Sequence, residues 1–274
     1  MNWSTVPGFG IAGNFTGHLE QAGESPDFVN VQTAEATAPK GMFPFYIPSA
    51  LDHYLSTNPY SHSTIRLLNE QENHQIEPEL SILFSVHYQG ALVKRLSPTQ
   101  LFAHNDCSIR RKGARKISEK KNWGAESKGV SQESIAIESL DSELVQHLHL
   151  GCYLIRDGTI HDYGITSPVC NYSYFNQQLL DWMVLKLNTQ EDFGPLENLN
   201  EWLQVAGQPS QILVSVGATK YTDFGESTFL RPNDLSVVVL YDSRRHNADS
   251  VKTIAQSEHT QGQEGLVILK QLVR

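Results

Sequence analysis

The sequence predicts an α+β, strand-rich fold, and three observations carry that reading. Apolar runs of strand length recur at Ser81–Tyr88, Ile212–Val216 and Leu235–Tyr241. Residues 143–165 read as a hairpin, because Leu148, Leu150, Cys152 and Leu154 alternate ahead of Asp157-Gly158, a two-residue turn signal, and Thr159-Ile160 lead back. Residues 173–205 favour helices: Leu179, Leu180, Met183, Val184 and Leu187 recur at helical spacing, and Leu196, Leu199, Trp202 and Leu203 follow a Gly194-Pro195 break.

At 274 residues the chain can bury a full core as one large domain or two small ones. A formal charge of −9 and a pI near 5.6 oppose non-specific attraction to nucleic acid or an anionic membrane, so neither is an expected partner. No run approaches the ~18 apolar residues of a membrane span, and the N-terminus lacks a basic region followed by an apolar stretch. A soluble, cytoplasmic protein is expected. Cys107, Cys152 and Cys170 are an odd count without metal-type spacing, which fits reduced thiols.

Taken in order, Gly8-Phe9-Gly10-Ile11-Ala12-Gly13 spells G-x-G-x-x-G, but a dinucleotide fingerprint must follow a strand and only seven residues precede it. A short strand is the better reading. Residues 50–75 read as a polar loop ending in a short extended piece. Gln89-Gly90 is a turn signal, and Ser97-Pro98 reads as N-cap and first position of a helix. Leu101 to His104 then reads as the strand that delivers Asp106. Seven basic residues follow, Arg110, Arg111, Lys112, Arg115, Lys116, Lys120 and Lys121, as a solvated loop or as a basic mouth drawing in an anionic substrate. His147 and His149 share a strand face, but no third ligand stands at a recognised spacing. The chain is polar from Arg244 to Glu264, and its apolar end, Leu266 to Val273, docks on the core as a strand or a helix.

The chemistry concentrates between Gln75 and Arg115. Side chains alternate along a strand, so Glu77 and Glu79 point the same way, about 7 Å apart. They repel unless a proton or cation lies between them, and with Asp106 as third ligand the all-oxygen set suits Mg²⁺, Mn²⁺ or Ca²⁺. The spacing equally fits two acids on the wet face of an edge strand with Asp106 in a turn.

The pattern Glu77-x-Glu79-Leu80 followed by Asn105-Asp106-x-Ser108-x-Arg110 resembles the fumarylacetoacetate hydrolase superfamily. Further elements in the family's order extend the resemblance over residues 8–242: Asn14-Phe15-x-x-His18, Phe45-x-Ile47-Pro48-Ser49, Trp123 to Lys128-Gly129, Gly217-Ala218-Thr219, and Phe229-Leu230-x-Pro232-Asn233-Asp234. It implies a mixed β-roll with peripheral helices: an N-terminal strand and lid over 1–49, a catalytic core over 50–244, and an extension over 245–274 packed on that core. It implies Glu77, Glu79 and Asp106 as ligands of Mg²⁺ (or Mn²⁺/Ca²⁺), and His18 and Lys128 as catalytic residues. Arg110 and Thr219 hold substrate, with the Thr219 hydroxyl and N–H offered to a carboxylate. A homodimer is expected. Two positions depart from the family: Gln21 stands where a glutamate polarises the histidine, and Ile47 stands where a lysine is usual. The implied activity is hydrolysis or decarboxylation of a small anionic 2-oxo or β-dicarbonyl acid through a metal-stabilised enolate. The alternative is an impaired relative that binds a metabolite or a protein.

Overall fold

The computed structural model describes residues 2–111, 113–257 and 262–274, and within these the expected strand-rich α+β character holds. The N-terminal part forms β1 (Gly8–Ala12), the single-turn α1 (His18–Gln21) and β2 (Gly41–Tyr46). The polar stretch that follows holds only the two-residue strands β3 (Tyr60–Ser61), β4 (Thr64–Ile65) and β5 (His74–Gln75). Then come the two longest strands, β6 (Pro78–Gln89) and β7 (Leu92–Asn105), joined at Gly90, whose φ of 62° is the left-handed conformation the turn requires. Short strands β8 (Ser108–Ile109), β9 (Lys128–Val130) and β10 (Ile135–Ala136) lead to α2 (Glu143–Gln146). The Asp157-Gly158 hairpin is present as β11 (Leu148–Arg156) and β12 (Thr159–Pro168), with φ of 52° and 76° at the turn. The C-terminal part runs α3 (Asn176–Thr189), α4 (Leu199–Val205), β13 (Gln211–Ala218), α5 (Asp223–Ser227), β14 (Leu235–Asp242), α6 (Ala248–Gln256) and β15 (Leu266–Val273).

Two sheets carry the fold. The larger has eight strands in the order β2-β1-β13-β6-β7-β9-β3, with β10 also paired to β7. The smaller has five in the order β12-β11-β14-β15-β4. Both are mixed, since β1 runs parallel to β13, β3 to β9 and β15 to β4 while the other pairings are antiparallel. The central strand β6 is buried on both faces from Pro78 to Phe84, so the polar Glu79 and Ser81 are enclosed along with Leu80, Ile82, Leu83 and Phe84. Helix α3 buries Leu179, Met183 and Leu187 in the main core and packs on β7 and α4. Each such side chain contributes about 1.5–3 kcal/mol on burial.

One expectation needs correction. Ser97 and Pro98 do not open a helix: they lie inside β7, where the pairing shifts register between Leu83↔Gln100 and Phe84↔Pro98. Proline lacks an N–H and survives within a sheet at such an irregularity, so the Ser-Pro signal marks a bulge. The polar stretch after Arg244 holds α6, which Asn247 and Ser250 start with a reciprocal cap. Its apolar sequel, β15, is hydrogen-bonded to β14 on one side and to β4 on the other, and Gln271 on it reaches the motif at Asn105. No helix among the described residues is long and apolar enough to cross a membrane.

Candidate active site

Glu77 immediately precedes β6, Glu79 is its second residue, and Asp106 follows the end of β7, so the pairing of these two strands sets the distance between the acids. The register places Pro78 opposite Asn105 and Glu79 opposite His104. The Asp106 N–H donates to the Glu77 carbonyl (3.0 Å), the Glu77 N–H donates to Asn105 Oδ1 (3.2 Å), and Asn105 Nδ2 reaches Ser236 and Gln271. Asn105 therefore ties the acidic strands to β14 and β15. One carboxylate oxygen from each of Glu77, Glu79 and Asp106 lies within 4.8 Å of the others, and all three residues are buried. A wet edge-strand face is thereby ruled out.

Glu79 Oε2 accepts the Gly217 N–H at 2.8 Å. Gly217 has φ of 117°, and a Cβ there would stand 3.1 Å from the Cβ of Asn14, so no other residue fits without strain. Asn14 in turn donates to the Val216 and Tyr174 carbonyls, fixing the start of the N-terminal segment over the acids.

Three cations converge on the acids. Lys121 Nζ lies 2.6 Å from Glu77 Oε2 and 2.6 Å from Asp106 Oδ2, with the Phe43 ring 5.2 Å beneath it. Lys128 Nζ, wholly buried, donates to the Cys107 carbonyl at 2.6 Å and pairs with Asp106 Oδ1 at 2.9 Å. Arg110 Nη2 approaches Glu77 Oε1 at 2.7 Å. Glu77 Oε1 and Asp106 Oδ1 accept no aligned hydrogen bond, so on those two oxygens the contact is charge against charge. Burial alone would raise the Glu77 carboxyl, but Lys121 and Arg110 outweigh it and hold the group well below the usual carboxylate range. Burial, and after it the neighbouring Asp106 carboxylate, push Glu79 well above that range. The Lys121 ammonium is stabilised by Asp106 and Glu77 against the cost of burial, whereas burial lowers Lys128 despite Asp106.

The structure places the sequence-derived site residues as follows. His18 lines a small cavity of about 10 Å³ together with Glu77, Glu79 and Lys121. Its Nδ1 lies 2.9 Å from the Thr219 carbonyl, which can only accept, so the proton is on Nδ1 and Nε2 keeps its lone pair. Burial lowers its pKa to about 4, against the pull of Glu77, so the ring is neutral at neutral pH. Gln21 does something other than orient His18: its amide brackets the Tyr221 backbone, donating to the carbonyl (3.2 Å) and accepting the N–H (3.0 Å), and donates to Glu226. The orienting acceptor missing from position 21 is supplied by the Thr219 main chain.

The reading of Thr219 is corrected in part, because its N–H is spent on the Pro78 carbonyl at 3.2 Å and is not open to a substrate. Arg110 is enclosed by Gln75 (2.6 Å), Glu24 (2.8 Å), Tyr221 (2.9 Å) and Glu77. Lys128 belongs to the shell behind Asp106 and does not line the cavity. Ile47 is fully buried in the main apolar cluster. Cys107 is buried and its thiol pushed up to about 12, largely by burial, which leaves no nucleophile there.

The basic run divides. Arg111 and Arg115 are solvated, Lys120 and Lys121 are buried, and Lys112 lies outside the described residues. Lys121 and Glu24 were missed as site residues by sequence reasoning. Lys121 was one of seven similar cations, and nothing local sets Glu24 apart from the other acids. His147 and His149 join no metal-type cluster among the described residues.

A family model matches residues 24–273 of this chain. The chain belongs to that family, a family of unknown function (DUF5718). None of the curated proteins matches it in sequence. Among solved structures it is similar to 2-keto-3-deoxyarabinonate dehydratase, with a TM-score of 0.54, 11% identity, and 97% of this chain and 72% of that chain covered. It is similar to 5-carboxymethyl-2-hydroxymuconate delta-isomerase from Mycobacterium smegmatis (TM-score 0.54, 11% identity, 97% and 78% covered). A protein of Yersinia pestis CO92 assigned to the fumarylacetoacetate hydrolase family is also similar (TM-score 0.51, 10% identity, 98% and 94% covered). At these identities the likeness is one of fold, and this member of DUF5718 is a divergent example of the fumarylacetoacetate-hydrolase-like fold.

Proposed function

We propose that the chain is an enzyme acting on a small 2-oxo or β-dicarbonyl acid at Glu77, Glu79 and Asp106, with a divalent ion, Mg²⁺ or Mn²⁺, as its cofactor. The observation that carries the reading is the convergence of three buried carboxylates, two of which, Glu77 and Glu79, line one cavity with a neutral histidine. The donors suit a hard ion in kind and in spacing: three carboxylate oxygens, one from each residue, lie within 4.8 Å of one another. When bound, such an ion supplies Lewis-acid polarisation of the substrate's oxo and carboxylate oxygens.

The chain's own groups do the rest. His18 Nε2, held by the Thr219 carbonyl on its other nitrogen, accepts or returns a proton. The Thr219 hydroxyl meets the substrate, and Arg110 fixes the orientation of Glu77. A cavity of about 10 Å³ has room for no more than about one water, so the segment Asn14 to Glu35 must open for substrate to enter. Proton transfer at a carbon or decarboxylation asks less of a neutral His18 than hydrolysis, which needs an activated water. Turnover of oxaloacetate and of simple acylpyruvates with Mn²⁺ or Mg²⁺ is the test. Activity lost in Glu79→Gln is expected, and no activity on any 2-oxo acid with either ion removes the enzymatic reading.

A further inference from the structure

The cation between Glu77 and Asp106 in this fold is a side chain. Lys121 follows the short 3-10 helix Ile117–Lys120, and its N–H caps that helix on the Ser118 carbonyl. From there Nζ enters the acidic cluster and stands equidistant, at 2.6 Å, from Glu77 Oε2 and Asp106 Oδ2. The side chain is 4% exposed and lies over the Phe43 ring, so the aliphatic stem is seated on an apolar wall and the ammonium has left water for these two oxygens. Other cations serve the second oxygens of the same carboxylates: Arg110 on Glu77 and Lys128 on Asp106. Lys121 alone of the three lines the cavity shared with Glu79 and His18.

We propose that Lys121 is a tethered cation that holds the place of the divalent ion. With the ammonium inserted, Glu77 and Asp106 are neutralised and the site is closed to metal. A metal ion enters only as the side chain withdraws. The inference rests on the metal-binding reading of the three carboxylates. An ion bonded to the same two oxygens at about 2.1 Å would lie no more than about 4.7 Å from Nζ, with room for no more than about one water to screen the two charges. Exchange is therefore the only way both cations can use these ligands. Lys121 thus sets metal affinity without being a ligand, and it keeps three buried acids from destabilising the metal-free protein.

The test is Mn²⁺ titration of the full chain by calorimetry and by the loss of the free-ion electron paramagnetic resonance signal. Wild type is compared with Lys121→Met, which keeps the stem on Phe43 and removes the charge, and with Lys121→Gln, which keeps a hydrogen-bond donor should the first fail to fold. Either variant is expected to bind Mn²⁺ at least tenfold more tightly than wild type, and Mn²⁺ is expected to raise its melting temperature by more than it raises that of wild type. Equal affinity in wild type and variant overturns the proposal while leaving the carboxylates as a metal site. No binding to any of the three proteins overturns both. Tight binding by the variant with none by wild type upholds Lys121 as the occupant and removes metal dependence from the native protein.

Discussion

Glu24 is the point at which the segment over the site is fastened, and Glu24→Gln should loosen that segment without unfolding the sheets beneath it. In the native protein Glu24 Oε1 accepts from Arg110 Nη1 at 2.8 Å and from Lys120 Nζ at 2.9 Å, the lysine buried and the arginine largely so. Burial works against the Glu24 carboxylate, yet Arg110 and Lys120 hold its pKa below the ordinary value. Removing one partner of a buried pair costs about 3–5 kcal/mol when the other charge is stranded. Here Arg110 keeps Glu77 and Lys120 keeps Asp27, and glutamine keeps an acceptor, so the loss reduces to the charge on two hydrogen bonds, about 2 kcal/mol. That is roughly a 30-fold shift in the opening equilibrium. Native-state hydrogen exchange reads it directly at the amides of Ala22 and Glu24, which bond to the His18 and Leu19 carbonyls. The expected result is faster exchange there by about that factor, with β6 and β13 unchanged. Unchanged exchange at these amides, or acceleration spread evenly over the sheets, would refute the latch.

Other changes follow from the same geometry. Glu197 accepts from the Ser118 hydroxyl while its Oε2 has no partner, and burial raises its pKa from 4.5 to about 7. The folded chain keeps this proton between those values where the unfolded chain releases it, so stability falls as pH rises through that window. Urea titrations should show Glu197→Gln more stable than wild type by about 2 kcal/mol near pH 8 and not near pH 4. A gain that persists at the lower pH would point away from the carboxyl. Gln21→Glu should not raise acylpyruvate hydrolysis, because Thr219 already orients His18. A carboxylate at position 21 would face the Tyr221 carbonyl and Glu226, costing about 1–2 kcal/mol in a melting experiment. Lys128→Met strips Asp106 of one of its two counter-ions and should destabilise the fold by about 3 kcal/mol. An unchanged unfolding midpoint in that variant would contradict the supporting role.

What could be read from the sequence follows from the range of the interactions involved. Alternation, turn residues and helical spacing are local, and they placed β6, the Asp157-Gly158 hairpin, α3 and β14 correctly. Ser97-Pro98 carries the same local signature in a helix start and in a bulged strand, and only pairing with β6 decides between them. The acidic trio was legible because two of its members stand at the start of one strand and the third just past the end of the strand paired to it. Lys121, Glu24 and the Thr219 carbonyl were not, because each meets the site across a loop or from a distant part of the chain. The Gln21 departure looked like a loss of function for the same reason, since the acceptor replacing glutamate is main chain from 198 residues further on and bears no sequence mark.

The claim on which the rest depends is that Glu77, Glu79 and Asp106 form a coordination centre for an oxo acid. Crystals grown with Mn²⁺ and oxalate test it most directly. The account predicts an anomalous manganese peak bonded to all three carboxylates, oxalate on the ion, and Lys121 Nζ drawn back from Glu77 and Asp106. Oxalate bound elsewhere, or Lys121 still bridging the two acids with no ion beside them at saturating Mn²⁺, would contradict it.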